Sequence, residues 1–273
     1  MNQWIVNKYG FINFWLFDDE QITTFNGNLL LNGENGSGKS VTLQSFIPMI
    51  LDGNSNSNRI STEGDNSRKI EWYLLYGDKE QAVSYLYAEF VKESMGEKKY
   101  VTYGIGFKIT KGQARPLKWY FKIDDLRVGE DIKLYKKENG QKFIHEKREL
   151  KKVLESNSEG KYTIFETREE YKTDVNTTLF GFNNIDEFEE TLNLIVELRK
   201  PNIKDSNGFD PKFIYEILNK SLKPLPESDL MTMSESFENI EKISNDLKSI
   251  ENQNRAITAI EEKYKRYNET VLK

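Results

Sequence analysis

Apolar and polar positions change period along this chain, and each change predicts a different kind of element. Over residues 4–31, short runs rich in aromatic and β-branched side chains predict strands at 4–6, 11–17, 21–25 and 29–31, with Asn26-Gly27-Asn28 as a hairpin turn. From 40 to 51, Val41, Leu43, Phe46, Ile47, Ile50 and Leu51 fall at helical spacing. Residues 52–66 are rich in Asn, Ser and Gly and almost without apolar side chains, which predicts a long exposed loop of a kind that is often functional. Residues 70–76, 82–91, 100–109 and 118–123 then read as strands of a second, mostly antiparallel sheet. Helical spacing returns near Lys147 with Leu150, Val153 and Leu154, and a short strand is expected at 162–165. Thr167-Arg168-Glu169-Glu170 is a capping box opening a helix that ends near Gly181. Asn184-Ile185-Asp186-Glu187 opens the next, to about Lys200, and Asp210-Pro211 opens a third.

Beyond Pro224-Leu225-Pro226 the pattern differs in kind. Leu230, Met233, Phe237, Ile240, Ile243, Leu247, Ile250, Ile257, Ile260, Tyr264, Tyr267 and Val271 recur at steps of mostly three and four, separated by charged and amide residues. This stripe predicts the root of a coiled coil over 228–273, set apart from a lobe over 1–227. It reaches Lys273 without a stop signal, so the arm is expected to continue. A long amphipathic helix lying on the globular core is the alternative.

Between the expected strand at 29–31 and the helix from 40 lies Gly33-Glu34-Asn35-Gly36-Ser37-Gly38-Lys39-Ser40, a complete G-x-x-x-x-G-K-S loop. Its glycines let the backbone curl with N–H groups pointing inward, and the following helix N-terminus adds partial positive charge, so the loop can cradle a polyphosphate. Lys39 would reach the β- and γ-phosphates of ATP and Ser40 would offer its hydroxyl to Mg²⁺. The residues expected to contact nucleotide are Gly33 to Ser40 and the adjoining Val41. A surface turn that happens to spell the motif would lack the apolar run on one side and the helical spacing on the other.

Composition narrows the remaining classes. The 273 residues, 37% hydrophobic and 12% aromatic, suffice for a packed core. The absence of cysteine excludes disulfides and thiolate metal sites, and the single histidine excludes most histidine-built zinc sites. That residue, His145, sits beside Glu146 and Lys147 at a predicted helix start and is expected to be exposed. No stretch approaches the roughly 20 apolar residues of a membrane span and the first residues are not signal-like, so a cytoplasmic protein with no membrane partner is expected. With a net charge of −5, any DNA contact must be local. The basic residues Lys98, Lys99, Lys108, Lys111, Arg115 and Lys118 are expected to form a solvated face, and the aromatics from Trp4 to Phe17 to pack in the core rather than stack on bases.

This order of strand, phosphate loop and helix, then sheet, helices and a departing coil, resembles the N-terminal half of SMC-type ATPase heads. Within that superfamily it is similar to the MukB-related SMC-like subunit of Wadjet anti-plasmid systems. Four stretches carry the likeness: Gly10-Phe11-Ile12-Asn13-Phe14-Trp15; Leu30 to Ser40 with Ile50-Leu51-Asp52-Gly53; Tyr103-Gly104-Ile105-Gly106; and Glu197-Leu198-Arg199-Lys200-Pro201. The resemblance implies an α/β P-loop fold with an antiparallel β-subdomain, a helical region and the start of a coiled-coil arm. It implies ATP and Mg²⁺ as cofactors, with Arg59 touching nucleotide or sensing DNA; Arg68 competes for that role, and a solvated loop arginine is the other reading of Arg59. In such heads a glutamine completes the magnesium shell; the candidate here is Asn202, one methylene shorter. No catalytic residue is expected within this segment: the Walker B acids would come from a C-terminal lobe, and the signature motif from a second head in a homodimer. Further implied partners are kleisin and winged-helix accessory subunits, a nuclease subunit and DNA. A chromosomal condensin or repair ATPase, a self-contained P-loop enzyme and a nucleotide-binding interaction module are the other readings of these residues.

Overall fold

A computed structural model describes residues 3–34, 37–39, 42, 46–60, 69–94 and 96–198, and separate positions between 242 and 265. The chain divides into two units, Met1–Ile217 and Leu218–Lys273.

In the first unit, β1 (Ile5–Phe14), β2 (Phe17–Thr23), β3 (Gln81–Ser94), β4 (Glu97–Thr110), β5 (Leu117–Asp124) and β8 (Tyr162–Phe165) form one sheet in the order β2-β1-β3-β4-β5-β8. Every pairing in it is antiparallel. The short strands β6 (Tyr135–Glu138) and β7 (Gln141–Ile144) make a separate hairpin. The observed class is therefore α/β with an antiparallel sheet. The two sheets expected from sequence are one, because β1 pairs with β3 in the register Phe11↔Leu86. Periodicity reveals a strand but not its distant partner.

Both faces of this sheet are buried. On one, Phe11, Phe14, Leu86, Ala88, Tyr103, Ile105 and Phe107 pack against Phe46, Met49, Ile50, Tyr73, Tyr171 and Phe188. These come from the helices α1 (Ile47–Asp52), α3 (Ile70–Leu74), α5 (Arg168–Val175) and α6 (Ile185–Leu198), and from the residue before α1. On the other face, Ile12, Tyr85, Tyr87, Trp119 and Phe121 meet Val128, Ile132 and Leu134 of the β5–β6 connection and Leu150 and Leu154 of α4 (Lys147–Asn157). Here large rings lie over glycines of neighbouring strands. A Cβ on Gly10 would overlap Tyr87, one on Gly104 would overlap Phe121, and one on Gly106 would overlap Trp119.

Local signals placed the helix starts. Both α4 and α5 begin with a reciprocal capping box, Glu146 with Glu149 and Thr167 with Glu170. A π-turn, Asn176–Phe180, carries α5 to Gly181, whose left-handed φ of 72° ends it.

Four expectations give way to tertiary packing. Residues 70–74 are helical rather than extended: despite the β-favouring composition, the buried side chains are Ile70, Tyr73 and Leu74, a helical spacing. The strand expected over 11–17 is broken at Trp15-Leu16, where Phe14 pairs with Phe17 across a tight hairpin and Trp15 takes φ 54°. The stretch after 52 is not wholly exposed, since Asp52, Arg59 and Ile60 are buried and residues Ser57–Ile60 form a helical turn, α2. His145 is buried rather than exposed: its backbone N–H bonds Leu134 and its carbonyl accepts from the Tyr85 hydroxyl, fixing it beneath α4. Burial pushes the imidazole pKa down, which favours the neutral ring.

In the second unit, the described positions between 242 and 265 are helical, and Ile243, Leu247, Ile250, Ile257 and Ile260 are exposed. The helix start at Asp210-Pro211 lies outside the described residues. Among the described residues no helix is long and apolar enough to cross a membrane.

The contact of Gly106 with Trp119 gives a direct test of the glycine-backed face. Gly106→Ala should destabilise the fold by about 2 kcal/mol in urea denaturation, since the added Cβ would stand 2.0 Å from the buried Trp119 ring. Combining it with Trp119→Leu should cost less than the sum of the two single changes.

Candidate functional site

The chain enters the glycine-rich loop from a hairpin turn at Asn26-Gly27, closed by reciprocal backbone bonds of 2.9 Å between Phe25 and Asn28. The segment that follows is in no strand or helix and, among the described residues, has no ladder partner, and Leu30 is 91% exposed. The expected central strand at 29–31 is thus neither paired nor buried.

Within the loop, the Lys39 ammonium folds back over the turn. It donates to the carbonyls of Gly33 (2.5 Å) and Glu34 (2.6 Å) and to the Ser37 hydroxyl (3.2 Å). The Ser37 amide bonds the Glu34 carbonyl, and a Cβ at Gly33 would stand 2.9 Å from the Ser37 hydroxyl oxygen. Gly38 has φ 85°, and its carbonyl accepts both the amide and the hydroxyl of Thr42 at 3.0 Å, bonds of helical spacing that lead towards α1. All three Lys39 acceptors are neutral. An arriving polyphosphate would offer anionic oxygens to the same three donors, a stronger, charge-assisted set. The described part of the loop, Gly33, Glu34 and Ser37 to Lys39, thus offers a cation whose present acceptors a polyphosphate could replace. Asn35, Gly36, Ser40, Val41 and Asn202 lie outside the described residues, and Mg²⁺ would have its chain-borne partners among them.

The helix beyond the loop is anchored at both ends. Phe46, just before α1, is wholly buried between Phe14 (ring centroids 4.7 Å apart) and Tyr73 (5.3 Å). At the other end the chain leaves α1 through Gly53, at φ 68°, and a Cβ there would come within 2.7 Å of Tyr120. Tyr171 donates its hydroxyl to the Ile50 carbonyl and Tyr120 to that of Gly53. Asp52, 3% exposed, accepts from the Asn54 amide and from two nitrogens of Arg59. Burial raises the Asp52 pKa, and the Arg59 guanidinium opposes that rise most strongly. Arg59 therefore sits at the C-terminal end of the helix that follows the loop, with its guanidinium on Asp52. The tyrosines that complete this anchorage carry no motif; only the Ile50-Leu51-Asp52-Gly53 run pointed to the place.

A self-contained P-loop enzyme would need an acid after an apolar strand run; the nearest approach, Glu89 after Leu86-Tyr87-Ala88, lies within β3 and away from the loop. It shares a sheet face with Tyr85 and Tyr87, opposite α1. There it is wholly buried and ion-paired with Lys8 and Arg127, while Lys8 also donates to the Val128 carbonyl at 2.8 Å. This network pins the β5–β6 connection to the sheet. Of the basic residues expected to form a solvated face, Lys108 on β4 pairs with Glu146, Lys111 just beyond β4 with Glu80, and Lys118 on β5 bonds the Ser55 hydroxyl.

No protein-family model matches this chain, and no curated protein does.

Arg59→Ala should cost about 3 kcal/mol at neutral pH, because the buried Asp52 carboxylate loses its charged partner. The folded-state pKa of Asp52 already lies above its unfolded value and should climb further in the variant. Stability gained by protonation is present in acid and lost as pH rises through that raised value. The deficit relative to wild type should therefore shrink on mild acidification, measured by denaturant unfolding at neutral and mildly acidic pH.

Proposed function

We propose that this chain is the ATP-binding N-terminal lobe of a split-head ATPase of the SMC-like type. One observation carries the reading. Lys39 is turned onto the carbonyls of Gly33 and Glu34, while the segment before them is left bare at Leu30. In a self-contained P-loop enzyme that segment is a central strand covered on both sides; a bare one calls for a second lobe to pair with it. The placement of Glu89 supports the same reading, because a nucleotide-site acid would have to emerge on the loop's side of the sheet rather than in an ion network on the opposite face.

In this proposal Gly33 to Ser40 and Val41 bind the nucleotide, with Lys39 on the β- and γ-phosphates. Mg²⁺, held by Ser40 and by Asn202 in the place of the usual glutamine, neutralises charge on those phosphates. Arg59 holds the helix end through Asp52 and stands near the nucleotide or DNA. A complementary C-terminal lobe supplies the acids for hydrolysis, and a second head closes the site in a homodimer. The exposed apolar positions Ile243, Leu247, Ile250, Ile257 and Ile260 suit the seam of a coiled-coil arm. The resemblance to Wadjet systems extends the proposal to DNA loop extrusion in plasmid defence, with kleisin, winged-helix and nuclease subunits. A chromosomal condensin or repair ATPase would use the same chemistry in other surroundings.

ATP hydrolysis should be absent or nearly so with this chain alone, appear on mixing with the matching C-terminal lobe, and vanish again with Lys39→Ala. Robust turnover by the chain alone, insensitive to added lobe, would establish a self-contained NTPase instead.

A further inference from the structure

The hairpin between β1 and β2 turns on two residues, Trp15 and Leu16, with no glycine between Phe14 and Phe17. Trp15 nevertheless has φ 54°, a conformation that a bulky side chain avoids and that costs on the order of 1–3 kcal/mol. Asn13, two residues earlier, has φ 47°. Hydrogen bonds hold this strained shape. The Trp15 amide donates to the Tyr73 carbonyl at 2.8 Å. The Asn13 side chain donates to the Val83 carbonyl and accepts from Lys79, and its carbonyl accepts the Ser84 hydroxyl.

The strain has a visible result. The Trp15 indole is half-buried among Phe17, Phe46 and Tyr73, edge-on to each, and its far benzo edge points at the phosphate loop. A Cβ on Gly38 would stand 2.6 Å from Trp15 Cη2 and 2.7 Å from Cζ3, so the indole rests on the glycine itself. Gly38 precedes Lys39, and its carbonyl takes the two Thr42 bonds.

We infer that Trp15 is a positioning residue for the phosphate loop, bracing Gly38 so that the turn from loop to helix keeps the curvature that a polyphosphate requires. The inference rests on the ATP-binding reading above. The brace touches the loop rather than any base, so it serves the phosphate chain whatever is attached to it. It also differs from ordinary core packing, because the benzo atoms Cη2 and Cζ3 lie against backbone at Gly38 rather than against another side chain.

Trp15→Phe separates these roles. The smaller ring stays in the aromatic cage and withdraws the benzo edge; Trp15→Leu keeps an apolar side chain there without reaching the glycine. Calorimetric titration of the full chain with Mg-ATP and with inorganic Mg-tripolyphosphate should show both affinities falling in either variant by the same factor, about fivefold. The thermal midpoint should move by no more than about 2 °C. Unchanged affinities in two folded variants would overturn the brace and leave the ATP-binding reading standing. A loss confined to ATP, with tripolyphosphate unaffected, would overturn it in favour of a contact with the base. If wild type binds neither ligand, or Lys39→Ala binds both as well as wild type does, the ATP-binding reading fails and the brace with it.

Discussion

Aromatic rings laid over backbone, at places where no Cβ would fit, govern how this sheet can pack. Tyr87, Phe121 and Trp119 occupy the space above Gly10, Gly104 and Gly106, so the four adjacent strands β1, β3, β4 and β5 share one layer of rings. Rings so placed reach across strand boundaries: Tyr85 meets both Trp119 and Phe121 edge-on at 5.7 and 5.8 Å. With that face closed by the β5–β6 connection and α4, the phosphate-loop helix is confined to the other. The sidedness of the sheet thus determines which strand ends can contribute to a nucleotide site, and it removes Glu89 from consideration.

The same economy of local contact holds α1. A helix of this length has little intrinsic stability, since the costly first turn is spread over few bonds. Its position comes instead from partners far along the chain. Tyr171 takes the Ile50 carbonyl, Tyr120 approaches Gly53, and Phe46 is clasped by Phe14 and Tyr73. Asp52 and Arg59 add a buried ion pair, which fixes geometry more than it stabilises, because desolvation of both groups offsets most of their attraction. Movement of the loop would therefore be felt at β5 and α5, which carry Tyr120 and Tyr171.

What the sequence made legible was what neighbouring residues decide. Thr167 with Glu170, the Asn26-Gly27 turn and the end of the helical run at Gly181 are local, and each lies where its pattern placed it. The long strands β3, β4 and β5 were legible from aromatic and β-branched enrichment. Their union with β1 was not, because the pairing of Phe11 with Leu86 is written in no short window. Residues 70–74 misled because Trp72 and Tyr73 favour strands in general, whereas the core takes Ile70, Tyr73 and Leu74 from one helical face. His145 misled because the charged residues beside it mark a helix start, while the Tyr85 hydroxyl and the Leu134 carbonyl that bury it come from other elements. In the candidate site, Gly33 and Lys39 could be read directly, but the anchoring tyrosines had no pattern to announce them.

Strain supplies the remaining contrast. The turns at Asn26-Gly27 and at Gly53 use residues that tolerate positive φ, and both were visible for that reason. The turn at Trp15 uses one that does not, so residues 11–17 read as a single strand. A sequence written for stability alone would place glycine or asparagine there, as it does at Gly77 and Gly96, where nothing lies within 4 Å of an added Cβ. At residue 15, by contrast, glycine would remove the ring that lies against Gly38 and open a gap among Phe17, Phe46 and Tyr73. Hydrogen bonds from Asn13 and to Tyr73 offset the conformational cost, so local preference is sacrificed at the place where the hairpin meets the loop.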